Sequence, residues 1–206
     1  MSNPRQPSTW SIPIPCKPLV GSLVSLEPIT RAHVPELAPA GTDPTIWQFT
    51  TSRGDSPGAM QAYVDKLLRD WEQGSALPFA VRQNSTGQIV GCTRFKELDS
   101  NHRHAIVGSW YAQSAWRTGV NLEAKLLLLN FAFDQLGLIR IEFHTDARNA
   151  RSRTSLERLG ATLEGVLRAH QITRDGSLRD SAVYSIVASE WPQVRAGIAD
   201  RLLRHG

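Results

Sequence analysis

Two short segments of this 206-residue chain combine residue types that could hold a phosphate or move a proton. In the first, residues 116–125, a turn containing Gly119 leads from a strand directly into a helix. A helix N-terminus has four unpaired backbone N–H groups and a partial positive charge, so such a turn can bind an anion. Arg117 adds a full positive charge. The alternative is an ordinary connection between a strand and a helix.

The second segment, residues 146–161, places Asn149 and Ser152 three residues apart at the start of a short helix. Side chains at this spacing are neighbours on one helical face, and both can point back toward the preceding strand. Asn149 is also a good helix N-cap and Ser152 an ordinary first-turn residue, so a purely structural role fits the same pattern. The segment also carries a cluster of four arginines, Arg148, Arg151, Arg153 and Arg158.

The elements that must position these segments follow from hydrophobic periodicity and turn residues. The clearest is an amphipathic helix that Ser56 can cap and Gly74 can end. Asn121 and Asn149 are predicted to cap two later helices, which Gly137 and Gly160 end. Strands are predicted at 22–27, 79–82, 88–95, 105–111, 139–144, 166–173 and 182–187, and helices at 30–38, 56–74, 121–136, 149–159 and after Ser189.

This order predicts an α/β (α+β) fold, with a mixed, mostly antiparallel central sheet of about seven strands flanked by helices in a single domain. Five prolines fall within the first 20 residues, so we expect residues 1–20 to form a Pro-rich N-terminal arm and residues 21–206 to form the domain. Exposed strand edges and the last hairpin could pair two copies as a homodimer.

Composition narrows the function classes. The chain has only two cysteines, Cys16 and Cys92, and no apolar run near the ~20 residues that a bilayer span needs. We therefore expect a cytoplasmic protein without a membrane partner. The net charge of +4 is too small and too scattered for a nucleic-acid-binding stripe. No P-loop, dinucleotide fingerprint, zinc motif or nucleophile elbow occurs. His102 and His104 lack a third ligand, so no metal is predicted.

With these segments placed, the chain resembles the GNAT acyl-CoA N-acyltransferase superfamily, and most closely its RimJ/RimL-like branch, over about residues 20–192. The resemblance is carried by GSWY at 108–111, WRTGVN at 116–121, DARNARS at 146–152 running to LGA at 159–161, EGVLR at 164–168, DG at 175–176 and RD at 179–180. The order of the predicted elements is also the order of that family.

The resemblance implies acetyl-CoA as cosubstrate and assigns residues to it. In the family, the loop before the central helix grips the CoA pyrophosphate with backbone amides, and the preceding strand pairs with the pantetheine arm. The family's loop pattern is Gln/Arg-x-x-Gly-x-Gly/Ala, which only Gly119 matches, since Trp116 and Asn121 stand at its first and last positions. The implied loop residues are Arg117, Thr118, Gly119, Val120 and Asn121, and the implied strand residues are Trp110, Tyr111 and Ala112.

The resemblance also implies catalytic roles. In the family's Asn-x-x-Ser version, the asparagine binds the pantetheine or acyl region and the serine protonates the leaving thiolate; Asn149 and Ser152 stand at those positions. The tyrosine that other branches use falls on Leu156. The glutamate that RimJ/RimL-like proteins often carry as a base falls on Ala105, which leaves a water, Glu97 or Asp99 as substitutes.

The implied function is transfer of an acetyl group from acetyl-CoA to a primary amine, on a protein N-terminus or a small molecule, by direct transfer in a ternary complex. Trp47 and Phe49 are candidates for stacking against the acceptor, and core packing is their alternative. The missing glutamate and altered loop leave a second hypothesis open, a non-catalytic acyl-CoA-binding regulatory module of GNAT fold. The acceptor's identity stays open.

Overall fold

A computed structural model describes residues 11, 13–173 and 175–204. Its centre is an eight-stranded sheet in the order β1-β2-β3-β4-β5-β6-β8-β7. The strands are β1 (Leu19–Val20), β2 (Val24–Pro28), β3 (Ala76–Gln83), β4 (Ile89–Asp99), β5 (His104–Tyr111), β6 (Arg140–Asp146), β7 (Thr162–Ile172) and β8 (Leu178–Val187). The helices are α1 (Val34–Ala40), α2 (Pro57–Glu72), α3 (Val120–Asn130), α4 (Ala150–Leu159) and α5 (Trp191–Leu203).

All neighbouring strands are antiparallel except β5 and β6, which are parallel. The predicted mixed, mostly antiparallel sheet flanked by helices is therefore confirmed. The count is eight strands instead of about seven because two residues, Leu19 and Val20, pair with β2. A pair this short carries no alternating pattern for a sequence to display.

Side-chain caps begin two of the five α-helices in the described residues. Ser56 accepts a hydrogen bond from Ala59 N, and Asn149 accepts one from Ser152 N, both as predicted. The prediction that Asn121 caps α3 is wrong: the N-cap is Gly119, with a left-handed φ of 84°, and Asn121 is the second helical residue. Likewise the last helix is capped by Glu190 and not by Ser189.

Two helices differ in form from the prediction. The helix expected over 121–136 divides into α3 and a π-helical turn at Phe131–Gln135. The helix expected over 30–38 begins as a 3₁₀ turn at Arg31–His33 and continues as α1. Such short irregular turns leave no period in a sequence.

The N-terminal arm lies partly outside the described residues, since residues 1–10 and 12 are not among them. Within the rest of it, Ile14 is buried in the main core, and its carbonyl accepts a hydrogen bond from Trp71 Nε1 at 3.2 Å. The division at residue 20 stays a prediction, but this part of the arm packs on the domain.

At the opposite edge, β7 is exposed along almost its whole length, including Leu163, Val166, Leu167 and Ile172. Its outer side has no partner strand within the described residues. Pairing of two copies at this hairpin stays a prediction.

The parallel pair β5–β6 does not run the length of its strands. Its register joins His104 to Arg140, Ala105 to Ile141 and Ile106 to Glu142, and goes no further. Beyond these pairs each strand stays bonded to its other neighbour, β5 to β4 as far as Tyr111 and β6 to β8 as far as Asp146. The two strands therefore diverge, and a gap opens in the middle of the sheet.

A buried carboxylate joins α3 to the start of β2. Glu123 is only 6% exposed, and its oxygens accept hydrogen bonds from Ser22 N at 2.9 Å, Leu23 N at 2.6 Å and Val24 N at 2.8 Å. These amides have no strand partner at that point, so the carboxylate satisfies donors that burial would otherwise leave unpaired. The contact holds the N-terminus of α3 against the sheet.

We expect Glu123→Gln to lower the free energy of unfolding by about 2–4 kcal/mol, because an amide offers one acceptor where the carboxylate offers two and faces the amides with its own N–H₂. Chemical denaturation of both proteins measures the change. Glu72→Gln, at an exposed position in α2, is the matched control and should stay within about 0.5 kcal/mol of the natural protein. Equal stability of the natural protein and Glu123→Gln would contradict this account.

Candidate active site

The gap between β5 and β6 opens into a cleft. Its walls include Val107, Gly108, Ser109 and Trp110 from β5, and Phe143, His144 and Thr145 from β6. Asn149 and Ser152 at the start of α4 line the same cleft, together with Leu156. The structure thus brings both predicted catalytic residues to the point where the two parallel strands part.

Asn149 and Ser152 are held by the helix cap itself. Asn149 Oδ1 accepts the N–H of Ser152 at 3.1 Å, which fixes the two residues relative to each other. Both are half-buried. The cap uses the amide oxygen of Asn149 and the backbone of Ser152, so the amide nitrogen and the hydroxyl group are left to face the cleft. The structural role predicted for Asn149 is real, and it is compatible with a role toward a ligand.

The predicted phosphate loop lies at the N-terminus of α3. Gly119 and, unusually for a residue with a side chain, Arg117 have positive φ angles of 84° and 65°. The side chains of Arg117 and Thr118 are exposed, and Val120 and Asn121 form the first helical turn. The first amides of α3 therefore meet no helical acceptor, which is the geometry that binds anions. None of these loop residues lines the cleft between the strands.

Trp116, which departs from the family pattern, organises this region. Its Nε1 donates to Tyr111 O at 3.0 Å, and the guanidinium of Arg151 lies 3.5 Å from the centre of its ring. A cation this close to an indole face is a strong cation–π contact. Trp116 therefore holds an arginine from α4 close to the loop, where the family pattern would have placed a polar side chain of the loop itself.

The three predicted strand residues differ in what they offer a ligand. Ala112 donates its N–H to Val90 O at 2.8 Å and is used in the sheet. Backbone N–H and C=O groups alternate in direction along a strand. Because the Ala112 N–H points toward β4, the N–H and C=O of Tyr111 point away from β4 and toward the gap. The Tyr111 carbonyl accepts a hydrogen bond from Trp116 Nε1, so the Tyr111 N–H is the backbone group that remains for a ligand. The Trp110 side chain is 6% exposed and lines the cleft.

Of the two aromatic residues predicted to contact the acceptor, Trp47 is mostly core. It is 2% exposed, donates to Gly41 O at 2.8 Å and packs against Trp110 with ring centroids 5.0 Å apart. Only its edge reaches the cleft. Phe49 is half-buried, lines the cleft, and has the Arg148 guanidinium 6.0 Å from its ring centre. Phe49 is the better placed of the two for contact with an acceptor.

The structure adds four basic side chains to which the sequence analysis gave no role in the site, Arg94, Lys96, Lys125 and Arg179, which all line the cleft. Lys125 is the most unusual. It is 7% exposed, it donates to Asn121 Oδ1, and burial lowers its pKa to about 8. Asn121 Nδ2 in turn donates to Ser155 Oγ at 3.1 Å, so this chain of polar groups links α3 to α4. The available signal in the sequence for this residue was a lysine on the inner side of a leucine-rich helix.

No carboxylate faces the cleft within the described residues. Ala105, at the position of the family glutamate, is fully buried. Glu97 is exposed, and Asp99 accepts from the N–H groups of Asn101 and His102 in the following turn. Neither lines the cleft, so the two side chains suggested as substitute bases are not positioned for that role.

Two wider searches cover the same described residues. No group of three or more His, Cys, Asp and Glu side chains there is arranged to hold a metal ion. None of the helices in residues 11, 13–173 and 175–204 combines the length and apolar character needed to cross a membrane.

Comparison with known proteins agrees with this geometry. The family model described as "Acetyltransferase (GNAT) domain" matches residues 24–162. A Bacillus subtilis protein named "Putative ribosomal N-acetyltransferase YdaF" is 27% identical over 139 residues, which are 66% of this chain and 75% of that protein. A crystal structure of a "putative acetyltransferase" from T. thermophilus is 32% identical, with a TM-score of 0.84 over 94% of this chain and 100% of that one.

A Mycobacterium smegmatis RimJ structure in complex with CoA-disulfide shares the fold, with a TM-score of 0.75 at 23% identity over 86% of this chain and 88% of that one. These relatives agree with the RimJ/RimL-like resemblance. The family match over residues 24–162, on a sheet whose parallel pair is divided, leads to one conclusion: the chain belongs to the acetyltransferase (GNAT) domain family, the acyl-CoA-dependent N-acetyltransferases.

Proposed function

We propose that this protein transfers the acetyl group of acetyl-CoA to a primary amine by direct attack within a ternary complex. The observation that carries the proposal is the gap between β5 and β6, with Asn149 and Ser152 at its side and the N-terminus of α3 nearby. GNAT acetyltransferases use acetyl-CoA, and the gap gives its extended arm a path through the sheet.

The chemistry divides among the groups already described. The amine nitrogen attacks the acetyl carbonyl carbon, the new C–N bond forms, and the C–S bond breaks. The Tyr111 N–H is placed to polarise the carbonyl oxygen, and one such donor is worth about 3 kcal/mol. Ser152 donates a proton or a hydrogen bond to the departing sulfur. The proton that the amine loses passes to water, and a serine that has given up its proton regains one from water, so the net products are an amide and a free thiol.

Lys125 supplies a buried positive charge to the same cleft. A thiolate and a tetrahedral oxyanion are both negative, and a cation in a water-poor site stabilises such charge more than it would in bulk water. Its pKa of about 8 also lies close to that of an ordinary thiol, about 8.5. We propose that the Asn121–Lys125 pair supports the leaving group alongside Ser152.

Arg151 is proposed as a ligand of the CoA pyrophosphate. Stacking on Trp116 holds its guanidinium beside the loop, and guanidinium groups bind phosphates through paired hydrogen bonds. This contact replaces the side chain that the loop lacks at position 116, while the backbone amides of Gly119, Val120 and Asn121 contribute as the family resemblance implies.

The absence of a carboxylate base from the described cleft favours a second candidate, a regulatory module that binds acyl-CoA without turning it over. Both candidates predict CoA binding. Only the enzyme releases thiol when an amine is present, so one assay separates them.

The first prediction is amine-dependent thiol release from acetyl-CoA by the purified chain, tested across peptides, amino acids and small phosphorylated amines. Ser152→Ala should lower the rate by roughly 10²- to 10⁴-fold if Ser152 is the general acid. Asn149→Ser replaces the amide group by a hydroxyl that can still cap the helix, so a loss of rate with unchanged stability assigns the amide group to the ligand. CoA binding without any thiol release would favour the regulatory module.

The second prediction concerns CoA affinity. Arg151→Met should weaken CoA binding by roughly tenfold, since it removes a charge-assisted contact. Arg158→Met, on the same helix with an exposed side chain, is the control and should bind CoA as the natural protein does. Calorimetry with CoA and with pantetheine, which carries no phosphate, separates the loss of a phosphate contact from a general loss of binding. Equal loss for both ligands would argue against the pyrophosphate role.

The third prediction follows from the lowered pKa of Lys125. Between pH 8 and about 10.4 the unfolded chain keeps a proton that the folded chain has lost, so this group makes stability rise with pH by about 1.4 kcal/mol per unit. Lys125→Met should abolish that component. Urea unfolding at pH 7.5 and 9.5 gives the free energy of unfolding of the natural protein and of Lys125→Met. The difference between these two free energies should change between the two pH values, and exposed Lys66→Met is the control. An unchanged difference would overturn the assignment.

A further inference from the structure

The cleft contains a group of cations that the proposed chemistry does not use. Arg94 and Lys96 lie two residues apart on β4 and face the same side of the sheet, and Arg179 reaches the cleft from β8. Between them β5 presents Gly108, which pairs with Arg94 in the register. A side chain at this glycine would approach only Arg94 Nε, at 3.9 Å, so the glycine leaves open space in front of that guanidinium.

These cations lack the partners that buried charges usually have. Arg179 is 7% exposed, its Nη2 donates to His144 O at a long 3.4 Å, and its Nε has no acceptor within the described residues. Arg94 donates to the neutral Tyr63 hydroxyl at 3.1 Å and lies over the same ring. Lys96 has only Glu97 at 3.4 Å, and that side chain is mostly in solvent.

Nearby carboxylates are engaged elsewhere. Asp146 is held by Arg148 through two side-chain hydrogen bonds of 2.9 and 2.8 Å, and Glu142 bonds Arg140 and His144. None of these carboxylates lines the cleft. A buried guanidinium without an anion costs stability, so a chain that holds one in an open cleft leaves it available for an anion from outside.

We propose that the acceptor is a small amine that also carries an anionic group, a phosphate or a carboxylate, and that Arg94, Lys96 and Arg179 bind that group. This inference rests on the proposed transfer to an amine and names its substrate class. The anion is not that of CoA in this scheme, because the phosphate loop at residues 116–121 does not line the cleft.

The same charges account for the missing base. A cleft that holds several cations disfavours the ammonium form of an amine and lowers its pKa, so the acceptor loses its proton to water before it attacks. The anionic group offsets the repulsion that a simple cationic amine would meet. Polyamines, which carry several positive charges and no anion, are therefore expected to be poor acceptors.

The test compares matched acceptors at one concentration of free amine base: O-phosphoethanolamine against 2-methoxyethylamine, and β-alanine against β-alaninamide. Thiol release should give a value of kcat/KM at least roughly tenfold higher for the anionic member of one pair or both, which also distinguishes phosphate from carboxylate. Arg179→Met and Arg94→Met should remove that preference, mainly through KM. Arg195→Met, on α5 beside Asp134, is the control and should retain it.

A binding measurement keeps the inference separate from the reaction. Inorganic phosphate and acetate are titrated into the chain saturated with CoA, so that the phosphate loop is already filled. Binding of either anion at one site, lost in Arg179→Met while CoA affinity is retained, supports the inference even if no tested amine is acetylated. Acetylation of neutral and anionic amines with equal efficiency, or no anion binding to the CoA complex, would overturn it while leaving the proposed transfer intact.

Discussion

A parallel strand pair that stops after three residues governs the whole arrangement. Residues 104–106 of β5 pair with residues 140–142 of β6. Beyond them, each strand continues to pair only with its antiparallel neighbour, β4 or β8. A continuous sheet would satisfy every backbone group internally and leave no room for a ligand. By parting, the strands expose one set of amides and open a path between the two faces, so the site is an interruption of the hydrogen-bond ladder.

The elements around this interruption divide the work by chemistry. Backbone amides of α3 and the stacked Arg151 lie on the side of the phosphate loop. Asn149 and Ser152 line the cleft, and so do the cations Arg94, Lys96 and Arg179. Lys125 connects the loop with the cleft, since it belongs to α3 and its side chain lines the cleft. Positive charge therefore lies both beside the loop, where we propose that the CoA phosphates bind, and in the cleft, where we propose that the anionic group of the acceptor binds.

Local signals in the sequence predicted most of the fold. Ser56 and Asn149 cap helices because their side chains bond amides only three residues away, and Gly160 ends α4 with a φ of 96° that glycine tolerates. The pairing of Asn149 with Ser152 came from the same short-range rule. Asn121 misled the prediction because its side chain bonds Lys125 one helical turn away and Ser155 across 34 residues of sequence, and the second of these contacts has no local signature.

The basic side chains of the cleft were missed for a related reason. Arg94 and Lys96 alternate with buried residues along β4, a pattern typical of a strand with one face in solvent. Only the assembled sheet shows that this face is covered and that Arg179 arrives from the far end of the chain. Family resemblance indicated Asn149 and Ser152, but it gave no role to these cations, although Arg179 stands in one of the segments that carry it.

The Glu123 carboxylate also sets an order of events during synthesis. The amides of Ser22, Leu23 and Val24 leave the ribosome about a hundred residues before the acceptor that binds them. At about 5–20 residues per second, those donors remain in water for several seconds. β2 can pair with β3 in that interval, but the N-terminal end of β2 is completed only when α3 emerges. The first turn of this domain is therefore completed only after more than half of the chain has been made.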